Sequence, residues 1–90
     1  MISPQNVICA EMLIAKYFTD NEKTEGASEI IAWVKQETRG LGVRKTEIRE
    51  ARKRLGIESV ETDQGRVWVW KNPLSPEEMW KSKSKELLEW

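Results

Sequence analysis

Arg44, Lys45, Thr46, Arg49 and Lys53 lie within one short window of this 90-residue chain, and their types and spacing suit recognition of a polyanion. The planar guanidinium of Arg49 matches the O6/N7 edge of a guanine, and Thr46 suits a thymine methyl or a phosphate. Arg44, Lys45 and Lys53 are donors of the kind that position a protein on phosphates. Their arrangement follows from the helix that the window predicts. Ile48, Ala51 and Leu55 recur at i, i+3 and i+7, a thin apolar stripe on a 3.6-residue repeat. Thr46, Arg49 and Lys53 lie nearly opposite that stripe, Lys45, Arg52 and Arg54 flank it, and Arg44 stands at the helix start. Glu50 can accept from a cytosine amine or pair with Arg54 one turn on, and pairing is the commoner use of that spacing. An ordinary solvated surface helix has the same look, so the neighbouring elements must decide.

After Gly56 come two runs, Ile57–Glu61 and Arg66–Trp70, with β-branched or aromatic residues at alternating positions. Asp63, Gln64 and Gly65 supply a turn between them, and Pro73 ends the second run because proline cannot donate to a ladder. In this hairpin Gln64 and Arg66 are placed to meet a neighbouring groove or phosphate, although Asp63 at the tip repels phosphate. Trp68 and Trp70 share one face and are expected to pack on helices, the alternative being a stacking platform for single-stranded bases. Ahead of the basic helix, residues 28–38 predict a second helix with Ala27, Ile30, Ile31 and Val34 inward, stopped at Gly40. Lys35 and Arg39 at its end would meet backbone phosphates. The first helix starts at Ser3-Pro4, an N-cap followed by proline at N1, and buries Val7, Ala10, Ile14, Tyr17 and Phe18. Residues 20–26 read as a polar loop.

The expected architecture is therefore α+β: a winged helix-turn-helix of three helices plus a β-hairpin wing over residues 1–73, with an extra helix over 74–90. Ser75, Pro76, Glu78, Leu74 and Met79 make a dense start signal for that last helix, as N-cap, N1, capping box and hydrophobic staple. It continues through Trp80, Leu87 and Leu88 towards Trp90. Its apolar face can pack across the sheet or can seat another chain, a second copy or a parent protein.

Charge is segregated. Lys plus Arg equals Asp plus Glu over the whole chain, yet residues 35–54 hold eight basic and three acidic side chains, a local excess of +5. Interspersed signs would serve solubility alone, so the segregation favours a directional electrostatic surface. With no histidine and one cysteine, Ser-His and Cys-His catalysis, an internal disulfide and a Cys/His zinc site are all excluded. Cys9, among Val7, Ile8 and Ala10, reads as a small buried hydrophobe rather than a reactive thiol. Glu58, Glu61 and Asp63 near the hairpin, and Glu77 and Glu78 at a helix start, offer no catalytic arrangement. No glycine-rich phosphate loop occurs. The expectations are no enzyme activity, no cofactor and no small-molecule substrate. No apolar run nears the roughly 20 residues of a membrane span, and no signal peptide opens the chain, so a cytoplasmic protein is expected.

From Gly26 through Pro73 the chain resembles the small winged-helix domain at the C-terminus of phage- and plasmid-type replication ATPases and primase-helicases. The residues that carry the resemblance are Gly42-Val43 before the basic helix, Ala51-Arg52-Lys53-Arg54-Leu55-Gly56-Ile57 at its end, and Val67-Trp68-Val69-Trp70 followed by Asn72-Pro73. Arg44 stands where that family usually has a capping serine, and the helix beyond Pro76 is an addition. The resemblance implies a winged-helix fold and an accessory role in phage or mobile-element DNA replication. A small transcriptional regulator, or a protein-docking module on the same scaffold, are the other uses of such a domain. A double-stranded DNA partner requires the cations of residues 44–54 to stand free of neighbouring carboxylates and uncovered by the C-terminal helix.

Overall fold

A computed structural model describes residues 2–21 and 24–89. The order is α1 (Pro4–Asp20), β1 (Thr24–Gly26), α2 (Ala27–Glu37), α3 (Lys45–Arg54), β2 (Glu58–Thr62), β3 (Gly65–Val69) and α4 (Pro76–Leu88). The result is an α+β fold of four helices and a three-stranded antiparallel sheet with a β2–β3 hairpin, compatible with a winged-helix-like topology among the described residues.

Helix α1 is the centre of the molecule. Ser3 caps it through its Oγ, which accepts from the Asn6 N–H at 3.3 Å, and Pro4 follows at the start as expected. Val7, Ala10, Ile14, Ala15 and Phe18 are essentially fully buried, on more of the helix circumference than one neighbour could cover. Helix α3 packs on one side of α1 and α4 on another. Each large aliphatic or aromatic side chain buried this way contributes about 1.5–3 kcal/mol. The stripe Ile48, Ala51 and Leu55 of α3 is 0% exposed, so the periodicity located its inward face correctly.

The segment expected to be a polar loop contains a strand. Thr24, Glu25 and Gly26 pair antiparallel with Val69, Trp68 and Val67, giving the strand order β1-β3-β2. Strand β3 has two edges, and β2 satisfies only one. The backbone groups on the other edge need a partner, and three polar residues with no alternation of their own supply it. Helix α2 accordingly begins at Ala27, directly from the strand. Its last turn closes on Thr38, whose N–H and hydroxyl both donate to the Val34 carbonyl, the hydroxyl at 2.7 Å. The residue that requires a left-handed backbone is Gly42 (φ 67°) rather than Gly40, because the turn reverses there to enter α3.

The last helix does not cross the sheet. It packs on α1, burying Pro76 and Met79, while Lys16 of α1 sits 4.8 Å over the Trp80 ring. Ser75 caps it by accepting from the Glu78 N–H, and the Ser75 hydroxyl in turn donates to the Glu78 carboxylate, in place of the backbone N–H that a capping box would use. Leu74 remains 47% exposed, so its expected staple with Met79 contributes little burial; its carbonyl instead accepts the Trp70 indole N–H at 2.9 Å. Trp68 and Trp70 are both buried, with the Trp70 ring 5.5 Å from Phe18, which confirms packing over a stacking platform. Ile31 is only half-buried at the edge of the core, and Cys9 is half-buried too, burial pushing its thiol above the ordinary pKa. Trp90 lies outside the described residues.

Two buried carboxylates, Glu47 and Glu11, tie the helices together. Glu47, 2% exposed, accepts from the backbone N–H of Ser3 (2.7 Å), the Asn6 amide (3.1 Å) and the N–H of Arg44 (2.8 Å). It thus joins the N-terminus of α1 to that of α3. Burial alone would raise the Glu47 pKa, but those N–H donors and the Arg44 charge outweigh it and hold the carboxyl below its ordinary range. Glu11, 1% exposed on α1, faces Lys83 of α4 at 2.8 Å and Arg54 of α3 at 3.9 Å. Lys83 also meets Glu86 at 3.3 Å. Burial would lower the Lys83 ammonium, and its carboxylate partners Glu11 and Glu86 raise it above the usual lysine value instead.

Glu47→Ala should therefore lower the unfolding free energy by about 2–4 kcal/mol in urea melts, since three donors lose a charged acceptor. A depressed carboxyl pKa stabilises above its unfolded value of 4.5 and stops doing so as the pH falls through the folded value. The stability gap between wild type and Glu47→Gln should be full at neutral pH and shrink as the pH drops below 4.5. At the second carboxylate, Lys83→Met alone should cost about 2–4 kcal/mol by stranding Glu11, and the double variant Glu11→Leu/Lys83→Met should recover most of it. Equal losses in the single and double variants would mean that Glu11 is not held by Lys83.

Candidate nucleic-acid interface

With its stripe and Glu47 turned inward, α3 presents the rest of its circumference outward. Arg44, Lys45, Thr46, Arg49 and Lys53 are all exposed. Lys45, Arg49 and Lys53 follow one another at four-residue intervals and form a ridge, each about 6 Å above the last. None of Arg44, Lys45, Arg49 and Lys53 makes an ion pair with a described residue.

The remaining two cations of the helix are committed to the fold. Arg54 pairs with Glu50 at 3.4 Å, the i+4 pairing expected from their spacing, and turns towards Glu11. Arg52 is half-buried: its Nη1 donates to the Ile57 carbonyl at 2.8 Å, and its guanidinium carbon lies 5.9 Å from the centre of the Trp68 ring. This contact ties the end of α3 to the hairpin. Asn72 makes a second tie, donating to the Leu55 carbonyl at 2.8 Å while its own Oδ1 accepts from Leu74.

Between α2, α3 and the hairpin is an open cleft of about 340 Å³. Arg49 and Arg52 enter it from α3, Ser59 and Arg66 from the hairpin, and Ala27, Ile31 and Trp68 supply its apolar surface. Among the described residues no carboxylate lines it. Arg66 donates through Nη1 to Ser59 Oγ at 3.4 Å, and Glu61 is its cross-strand partner in register. The tertiary structure thus brings Arg66 of the hairpin and Arg49 of the helix to one cleft and adds Arg52 and Ser59, which were not among the expected contacts. Arg52 could be found in the sequence only as a flank of the apolar stripe, and Ser59 only once β2 is known to lie opposite Trp68.

Other expected contacts stay apart from that cleft. Gln64 is exposed at the hairpin turn, where Glu25 and Glu29 line a second, polar cleft against which Arg66 also rests. Lys35 and Arg39 are exposed at the end of α2 and in the turn after it, and neither lines the cleft between α3 and the hairpin. Among the described residues there is no cluster of three or more His, Cys, Asp or Glu side chains able to hold a metal ion. No described helix is long and apolar enough to cross a membrane.

The two arginines that face the cleft from α3 differ in what they support. Arg52→Ala should destabilise the domain by about 1–2 kcal/mol, losing a carbonyl acceptor contact and packing on Trp68. Arg49→Ala should stay within about 0.5 kcal/mol of wild type, as a surface change away from partners. Chemical denaturation followed by tryptophan fluorescence measures both.

No protein-family model, no curated protein and no solved structure matches this chain.

Proposed function

We propose that this chain is a non-enzymatic, cofactor-free DNA-binding module of winged-helix type, with α3 as the reading helix and the β2–β3 hairpin as the wing. The observation that carries the reading is the split of α3 into two faces. Ile48, Ala51 and Leu55 are fully buried, while Lys45, Arg49 and Lys53 are exposed with no ion pair among the described residues, and Arg44 is exposed at the helix start beside Glu47. In this reading Arg49 and Thr46 approach base edges from the major groove, and Arg44, Lys45 and Lys53 meet phosphates. Lys35 and Arg39 add backbone contacts beyond the turn, and Gln64 and Arg66 those of the wing. The order β1-β3-β2 behind α3 supports the winged-helix assignment, since it backs the hairpin with a third strand. An accessory role in phage or mobile-element replication, or in transcription control, is the setting that suits such a module.

Use of α4 as a docking helix or dimer seam has less behind it. Met79 and Trp80 are already engaged by α1, which leaves Leu88, 87% exposed, as the main free apolar side chain of that helix.

Fluorescence anisotropy with a labelled duplex at a series of salt concentrations tests the reading. With about four phosphates neutralised, log K should fall with log salt at a slope of about −3 to −4. The double charge reversal Arg49→Glu/Lys53→Glu should abolish binding and leave the melting temperature close to wild type. Duplex binding by that variant at wild-type strength would remove α3 from the interface.

A further inference from the structure

We infer that the cleft between α2, α3 and the hairpin is a built phosphate site, in which Arg49, Arg52 and Arg66 close on one phosphoryl oxyanion. The inference deepens the DNA-binding reading by naming a discrete anion pocket behind the exposed ridge, and the experiment below separates the fates of the two.

Three guanidiniums facing one concavity repel one another unless an anion lies between them. Among the described residues none that lines the cleft is acidic and Arg49 has no ion-pair partner, while Arg66 also borders the neighbouring cleft that Glu25 and Glu29 line. The acidic groups nearest in the sheet are Glu61, opposite Arg66 in register, and Glu25, opposite Trp68 from the other edge. Neither lines the cleft.

The donors also differ in how they are held, in a way that suits ligand capture. Arg52 is oriented before any ligand arrives, with one nitrogen committed to the Ile57 carbonyl and its plane resting near Trp68. A guanidinium so fixed loses little further freedom on binding, and its unused N–H groups remain available to an anion. Arg66 donates to Ser59 Oγ at the long distance of 3.4 Å, a contact that a phosphate oxygen can replace, freeing the Ser59 hydroxyl to donate as well. Arg49 closes the site from the helix ridge. Planar forks on separate elements are the arrangement that grips tetrahedral oxyanions by paired hydrogen bonds. At about 340 Å³ the cleft has the size of small-ligand sites, with room for a phosphate and part of the sugar attached to it.

The phosphate can belong to a nucleic-acid backbone lying along α3 or to a free phosphorylated small molecule. Titration of the intact chain with inorganic pyrophosphate, and separately with a short DNA duplex, at fixed ionic strength distinguishes them. The signals to follow are the arginine Nε–H groups and the Trp68 indole N–H in nitrogen-proton correlation spectra. Pyrophosphate should shift Arg49, Arg52, Arg66 and Trp68 saturably while leaving Arg39 and Arg44 in place. Arg49→Gln/Arg66→Gln should weaken that binding at least tenfold without altering the melting temperature. If the duplex moves the same signals and loses affinity in the double variant, the phosphate is that of the nucleic acid. If pyrophosphate saturates the cleft and the duplex does not bind, the site serves a free phosphate and the DNA reading falls while the pocket stands. Small, non-saturating shifts at every arginine, or duplex binding through Lys45 and Lys53 with the cleft signals unmoved, would overturn the pocket and spare the DNA reading.

Discussion

The seat of α3 on α1 is the contact on which the rest of this structure depends. Ten residues with only Ile48, Ala51 and the following Leu55 to bury make a marginal helix in water. Packing against α1 stabilises it, and two polar pins set its register there. At one end Glu47 takes backbone N–H groups from both helix starts; at the other Arg54 reaches towards Glu11. Sequence numbers rise together along the seam, from Ser3 and Asn6 beside Glu47 to Glu11 beside Arg54, so the two helices run side by side in the same sense. A slip by one turn would strand a buried carboxylate at each end, a far larger penalty than the loss of an apolar contact.

The same seam sorts the charges of the basic segment. Glu47 is drawn inward onto N–H donors, and Glu50 is neutralised by Arg54. Arg52 is turned under the hairpin. What remains on the outer side is Arg44, Lys45, Arg49 and Lys53, a cationic ridge on a chain whose formal net charge is zero. Long-range attraction for a polyanion follows from where charges stand rather than from their sum. The fold builds this ridge by hiding carboxylates as much as by displaying cations.

Helix α4 takes part in this arrangement without covering it. It lies on α1, and its Lys83 supplies the nearer counter-charge to Glu11, leaving Arg54 at the looser distance of 3.9 Å. One buried carboxylate is thereby shared by three helices, which couples the docking of α4 to the seating of α3. The hairpin is secured separately, by Arg52 on the Ile57 carbonyl and Asn72 on the Leu55 carbonyl. The cleft with its three guanidiniums lies at the junction of these two separately fastened parts.

Local chemistry was legible in the sequence wherever one element's own residues decide its form. Ser3-Pro4 and Ser75-Pro76 start helices because capping and proline geometry act within four residues. The 3.6-residue spacing of Ile48, Ala51 and Leu55 set the inward face of α3, hence its outward ridge, and alternation set Trp68 and Trp70 inside. What only the tertiary structure decided are the pairings between distant segments. Thr24–Gly26 became a strand because β3 had an unsatisfied edge, not because of any pattern of its own. Glu11, Glu47 and Lys83 look like solvated charges by composition, and their burial follows from donors and counter-ions that lie from about 40 to more than 70 residues away along the chain. Arg52 and Arg66 meet across the cleft for the same reason. Propensity and periodicity describe a residue's neighbours in sequence, whereas the electrostatic cost of an unpaired charge is settled by its neighbours in space.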